Sequence, residues 1–166
     1  MQLFQRRRWI HPEHLEEGLG AFVAQLTWIN TNTGLAMSGW EQTGPEDDPG
    51  AILATTTFED HGWFLGEVAR LQTLGDYAPI NETTAALTVG QDAFERWRAP
   101  TSTPETWSLG QMGFRQMTIA SISHAPDSGG WKNIEGSEGY SSLFLNQDLP
   151  SVAVDADRVE DWQRIL

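Results

Sequence analysis

Histidine, arginine and tryptophan at a few positions carry most of the chemistry this chain could do. His61 sits between Asp60 and Gly62 at the head of an apolar-periodic segment. An imidazole beside a carboxylate suits general base work around neutral pH, while an exposed loop histidine is the plainer reading. His124, at the end of a strand-like stretch, is a second candidate. Arg7 shares a strand face with Trp9 under strict alternation, with Arg6 and Arg8 on the other face. A guanidinium on an inner face must meet an anion: a carboxylate or phenolate ligand, or an ion-pair partner such as Glu41 or Glu59. His11 and His14, spaced H-x-x-H beside Glu13 and Glu17, could begin a metal site, which would need a third ligand such as His61 or His124. The competing reading makes His11 a helix cap and leaves His14 solvated, and no metal site is expected.

Trp9, Trp40 and Trp63 fall at a strand end, within a strand and at a helix start, so they could converge and wall a pocket for a flat molecule. Aromatic rings fill cores just as readily. Asn30 and Tyr140 are further polar candidates for ligand contact without distinctive spacing. No nucleophile elbow, dinucleotide glycine motif or phosphate loop is present in the sequence, and the lack of Cys excludes thiolate chemistry and disulfides.

Two hydrophobic periods alternate along residues 2–89 and must position these groups. Leu3 to Ile10 reads as a strand, and His11-Pro12 ends it. Leu15, Leu19, Phe22, Val23, Leu26 and Ile29 then lay a helical stripe that stops at Gly34. Gly18 and Gly20 each cost that helix about 1 kcal/mol relative to Ala, either because something approaches the backbone or because the loss is tolerated. Leu35 to Gln42 and Ala51 to Glu59 form a hairpin across a loop of turn formers. The second strand carries apolar and β-branched residues on both faces, as an inner strand would. Asp60 caps a helix bearing Phe64, Leu65, Val68 and Leu71, and Thr83 to Val89 follows as a strand. Beyond it the pattern predicts a short helix at Asp92 to Arg98, a linker to Glu105 and a strand from Phe114 to His124. A turn at Asp127 to Gly130, a strand from Tyr140 to Leu145 and a short extended piece from Pro150 to Val154 come next. The last element is a C-terminal helix capped by Asp155, with Val159, Trp162 and Ile165 on one face.

One domain over residues 1–166 is expected, with a unit at 1–90 followed by additional strands and the helix. Eight Trp and seven Phe support a packed core despite the net charge of −13. Twenty-three acidic residues against ten basic ones disfavour polyanions, so no nucleic-acid partner is expected. No apolar run reaches the length of a signal segment or a membrane span, which predicts a soluble, cytoplasmic protein with no membrane partner. Asn81-Glu82-Thr83 matches a glycosylation sequon, read as accidental in that setting.

The order strand, helix, strand, strand, helix, strand is that of the ferredoxin-like split β-α-β unit, an α+β fold with two helices over one face of an antiparallel sheet. The chain resembles the dimeric α/β barrel superfamily, including antibiotic-biosynthesis monooxygenases and NIPSNAP-like proteins. That resemblance is carried by Arg8-Trp9-Ile10, the helix opened by Pro12, Gly39-Trp40-Glu41, and Phe58-Glu59-Asp60 before the second helix. It implies a dimeric barrel or a degenerate tandem version of one. It further implies a homodimer and a cofactor-independent oxygenase, cyclase or isomerase acting on a hydrophobic aromatic or polyketide-like molecule. Under it, His61, His124 and Arg7 are the catalytic candidates, and Trp9, Trp40, Trp63, Asn30 and Tyr140 line the substrate. A non-catalytic ligand-binding or assembly protein of the same fold is the alternative.

Overall fold

The computed structural model describes residues 1–44, 50–101, 115–123, 130–136, 140, 142–146 and 156–166. The first strand, β1 (Gln2–Ile10), turns Leu3, Gln5, Arg7 and Trp9 to one face and Phe4, Arg6, Arg8 and Ile10 to the other, as period-2 side chains must. After it a single 3-10 turn, Pro12–His14, is capped by His11, whose Nδ1 accepts the Glu13 amide at 3.4 Å. Helix α1 (Leu15–Asn32) buries Phe22, Leu26 and Ile29 against the sheet. A Cβ at Gly18 would collide with the Ile10 side chain, whereas nothing lies within 4 Å of one at Gly20. The two glycines therefore have different causes. Gly20→Ala should raise unfolding free energy by about 0.5 to 1 kcal/mol in urea titration, and Gly18→Ala should lower it.

Strands β2 (Ser38–Gly44) and β3 (Ala51–Phe58) form the expected hairpin, with β3 buried on both faces. Asp60 Oδ1 accepts the Trp63 amide at 3.0 Å and caps α2 (His61–Thr73). Phe64 and Leu71 of that helix are buried, but Leu65 is exposed.

Three later expectations fail. Residues 83–86 belong to a third helix, α3 (Tyr77–Ala86), and the strand that follows is β4 (Thr88–Arg98). The β-branched run misled because packing overrides propensity. Tyr77 stacks on Trp28 of α1 with ring centroids 6.0 Å apart, and Thr84 Oγ1 donates to the Ala21 carbonyl at 3.4 Å. Asp92 to Arg98 is likewise strand and not helix, because the pairing of residues 93–98 with β1 supplies its ladder. The C-terminal segment is strand β8 (Arg158–Arg164), paired with both β2 and β5. Its Val159, Trp162 and Ile165 match helical spacing by coincidence, since Glu160 and Trp162 are buried while Val159 is exposed.

Strands β5 (Gln116–Ile122), β6 (Trp131–Glu135) and β7 (Ser142–Asn146) complete the set, and β6 was not expected. The loop at 45–49, most of the linker after residue 101, the turn at 127–129 and the extended piece at 150–154 lie outside the described residues.

The eight described strands close into one antiparallel barrel in the order β1-β3-β2-β8-β5-β7-β6-β4. The first four run β4-β1-β3-β2 and the last four β8-β5-β7-β6, so each half places its fourth, first, third and second strands side by side. In the first half, β1 and β2 both pair antiparallel with β3, so they are parallel to each other, and α1 carries the chain back along the sheet. In the second half, Lys132 pairs with Ser142 and Ser142 with Ile122, so β6 starts level with the end of β5.

Two cores result. One fills the barrel with Leu3, Trp40, Leu53, Trp97, Met117 and Trp162; the other lies between the first half's outer face and the helices.

Candidate functional site

The space between sheet and helices is not fully filled. A cavity of about 380 Å³ opens over the outer face of β1 and β3, walled by Phe22 and Leu26 of α1, by Phe64 and Leu71 of α2, and by Tyr77 of α3. Its floor holds Ala54, a small residue facing large ones. Its lining is mostly apolar, and one side carries Arg6, Arg8, Gln25 and Asn81.

That polar side is a bonded network. Arg8 donates Nε to Asp92 Oδ1 at 2.9 Å, Nη1 to Gln25 Oε1 at 3.2 Å and Nη2 to Asn81 Oδ1 at 3.3 Å. Gln25 Nε2 also donates to Asn81 Oδ1, at 2.9 Å, and Arg6 pairs with Asp92 while its guanidinium lies 5.4 Å from the Phe94 ring centre. Asn81, set aside in the sequence as part of an accidental sequon, thus accepts two hydrogen bonds at the cavity wall. Missing α3 hid it.

Phe4, Phe64 and Phe94 also border a neighbouring cleft of about 320 Å³ that contains His61, Arg96 and Glu135. His61 packs its ring 6.3 Å from Phe58 and 6.4 Å from Phe64. Its Nε2 faces Arg96 Nη1, and since a guanidinium can only donate, that nitrogen accepts and the ring proton sits on Nδ1. Arg96 Nη2 in turn reaches Glu135 Oε2 at 3.0 Å. These contacts orient an imidazole at the edge of an aromatic cavity, and the ring can take up a proton there once Nε2 parts from Arg96.

Arg7 is on the other side of the sheet, inside the barrel. Its Nη2 contacts Glu160 Oε2 at 2.7 Å, so its partner is neither Glu41 nor Glu59. Glu59 pairs instead with the N-terminal amine at 2.6 Å. Arg158 Nη2 reaches the same Glu160 oxygen at 3.3 Å, and its guanidinium lies 4.8 Å from the Tyr140 ring centre. Across the barrel, Glu95 Oε2 accepts Trp97 Nε1 at 3.2 Å. Burial pushes the Glu95 carboxyl up from its ordinary 4.5, partly offset by the Arg7 and Arg158 charges and the Trp97 hydrogen bond. A carboxyl raised in the folded state favours the fold when protonated. Stability from this group is therefore full below the ordinary carboxylate range and is lost as pH climbs through the folded value. Glu95→Gln should flatten that fall, read as the urea midpoint from pH 4 upward; an unchanged profile would show that Glu95 titrates normally.

The three tryptophans do not converge. Trp40 is wholly buried inside the barrel with Nε1 donating to Thr55 Oγ1 at 2.9 Å, and Trp9 packs on the same inner cluster. Trp63 stands on the helix side, 45% exposed. Asn30 has a structural task, donating to the Met37 carbonyl at 2.9 Å and accepting the Met37 amide at 2.7 Å. It pins the end of α1 to the approach of β2. His124 lies outside the described residues. His11 and His14 have ring centres 5.6 Å apart, with His14 near Glu17, and no group of three metal-ligating side chains occurs among the described residues. Nor is any described helix long and apolar enough to cross a membrane.

No family model matches the chain. Among curated proteins, cell division protein FtsP of Xenorhabdus nematophila is 30% identical over 91 residues, which is 51% of this chain but 19% of that protein. The chain therefore spans a small part of that relative's length. A crystal structure of an uncharacterized NIPSNAP domain protein from Burkholderia xenovorans aligns with a TM-score of 0.54 at 13% identity, covering 63% of this chain and all of that one. At that identity the likeness shows the fold, and the chain is an antiparallel α+β protein similar in architecture to a NIPSNAP domain.

Proposed function

We propose that this chain is a cofactor-independent enzyme that binds a hydrophobic, ring-containing molecule of aromatic or polyketide type between its sheet and helices. Oxygenation, cyclisation or isomerisation is the reaction class. The observation that carries the reading is the cavity of about 380 Å³, with aromatic and aliphatic walls and a polar side, next to an oriented His61. A pocket of that size and lining is typical of small-molecule sites. His61 is the proton carrier; Arg8, Gln25 and Asn81 orient the polar end of the ligand. The architecture fits a tandem relative of the dimeric α/β barrel, in which β5 to β8 occupy the place that a second copy's sheet would take.

Ala54→Phe places a ring on the cavity floor and tests the reading. Native mass spectrometry of protein purified from its own host should show a co-purifying hydrophobic molecule that the variant lacks. Titration with that molecule should show at least tenfold weaker binding. Equal binding by a folded Ala54→Phe variant would move the site elsewhere.

One observation favours a non-catalytic binding protein of the same fold instead. Arg6, Arg8, Gln25, Asn81 and Asp92 bond to one another, as a purely structural network would. A ligand that leaves the protein chemically unchanged under every condition would support it.

A further inference from the structure

The barrel interior is more polar than a core requires. Gln5, Arg7 and Glu160 are all over nine-tenths buried there, and Trp162 is fully buried. Arg7 and Arg158 come from β1 and β8 and converge on one oxygen of Glu160, each through Nη2. Neither Nε has an acceptor, and Gln5 Nε2 and Trp162 Nε1 also lack one. The four are close together by construction. Gln5 and Arg7 share the inner face of β1, Arg7 lies 5.3 Å from the Trp162 ring centre, and Arg158, Glu160 and Trp162 share the inner face of β8.

Burying donors without partners is costly, so their accumulation in one place calls for an acceptor. Among the described residues the Arg7 and Arg158 guanidinium groups share one carboxylate, Glu160, as their ion-pair partner. An Nε–H beside an Nη2 already engaged is the open half of a planar fork that matches a carboxylate. A monoanion with two coplanar oxygens meets both demands.

We propose that the barrel interior is a second ligand site, separate from the sheet–helix cavity, that takes a small carboxylate against Arg7, Arg158, Gln5 and Trp162. Trp97 and Trp162 belong to the same inner cluster, so one aliphatic and one aromatic acid are the probes.

The test uses sodium acetate and sodium benzoate, with sodium chloride at equal ionic strength as control. Calorimetry should find one saturable site per chain for at least one of the two acids. The thermal midpoint should rise with that acid and not with chloride, and the emission of the interior tryptophans should change. Gln5→Leu should weaken binding at least tenfold. Arg158→Lys, which keeps the charge but loses the fork, should do the same if Gln5→Leu fails to fold. Ala54→Phe should leave the interior site intact, so this proposal and the one for the outer cavity fail separately. The proposal is overturned if neither acid binds, if the interior variants bind as wild type does, or if Ala54→Phe abolishes binding. An interior that holds only water would show as a Gln5→Leu variant of higher stability with no response to either acid in any form.

Discussion

Glu160→Leu should lower the unfolding free energy by about 3 to 5 kcal/mol, the usual cost of removing one partner from a buried ion pair. The size follows from placement. Glu160 is 4% exposed and is the only carboxylate within ion-pair distance of Arg7 and Arg158 among the described residues. Removing it leaves two guanidinium groups in the barrel, and burial disfavours ionising Glu95, the other carboxyl whose charge they feel. Exchanging Arg7 and Glu160 together for Met and Leu should recover part of the loss, because the Arg7 charge goes with its partner while Arg158, which is partly exposed, stays without one. Urea unfolding of the two single variants and the double variant gives the coupling directly. A single-variant loss under about 1 kcal/mol would mean that water reaches the pair and screens it as at a surface.

Glu160 also shows what the sequence concealed. The alternation around Arg7 indicated that its guanidinium would face inward and need an anion, which the structure bears out. The partner could not be found, because residues 158–164 look helical when only the spacing of Val159, Trp162 and Ile165 is read. Their strand state comes from pairing with β2 and β5, contacts more than a hundred residues apart in one case. The first three strands, α1 and the Asp60 cap were legible because local periodicity and end signals agree there. α3 was not, since its Thr residues favour strands in isolation and its helical face is specified by Trp28 and Ala21 of another element. Half of the polar cavity wall was therefore out of reach: Arg8 was seen only as the face opposite Arg7, and Asn81 only as a chance sequon. A buried Gln25 inside an apolar stripe, four residues before Ile29, was the one local signal that the helix meets something polar.

His61→Gln should reduce turnover of the host-derived ligand by about 100- to 10,000-fold, the usual contribution of one general acid or base. The imidazole borders the same Phe4, Phe64 and Phe94 as the outer cavity, so it can reach a bound ring without taking part in holding it. Binding should accordingly stay within about threefold of wild type, since a group that acts mainly in the transition state lowers the rate and leaves the affinity in place. The amide of Gln can still accept from Arg96, which keeps the Arg96–Glu135 pair where it is. This variant therefore separates a proton carrier from a residue that only positions Arg96. Full turnover by His61→Gln on a ligand that wild type demonstrably converts would leave the cavity as a binding site and remove the acid–base step assigned to His61.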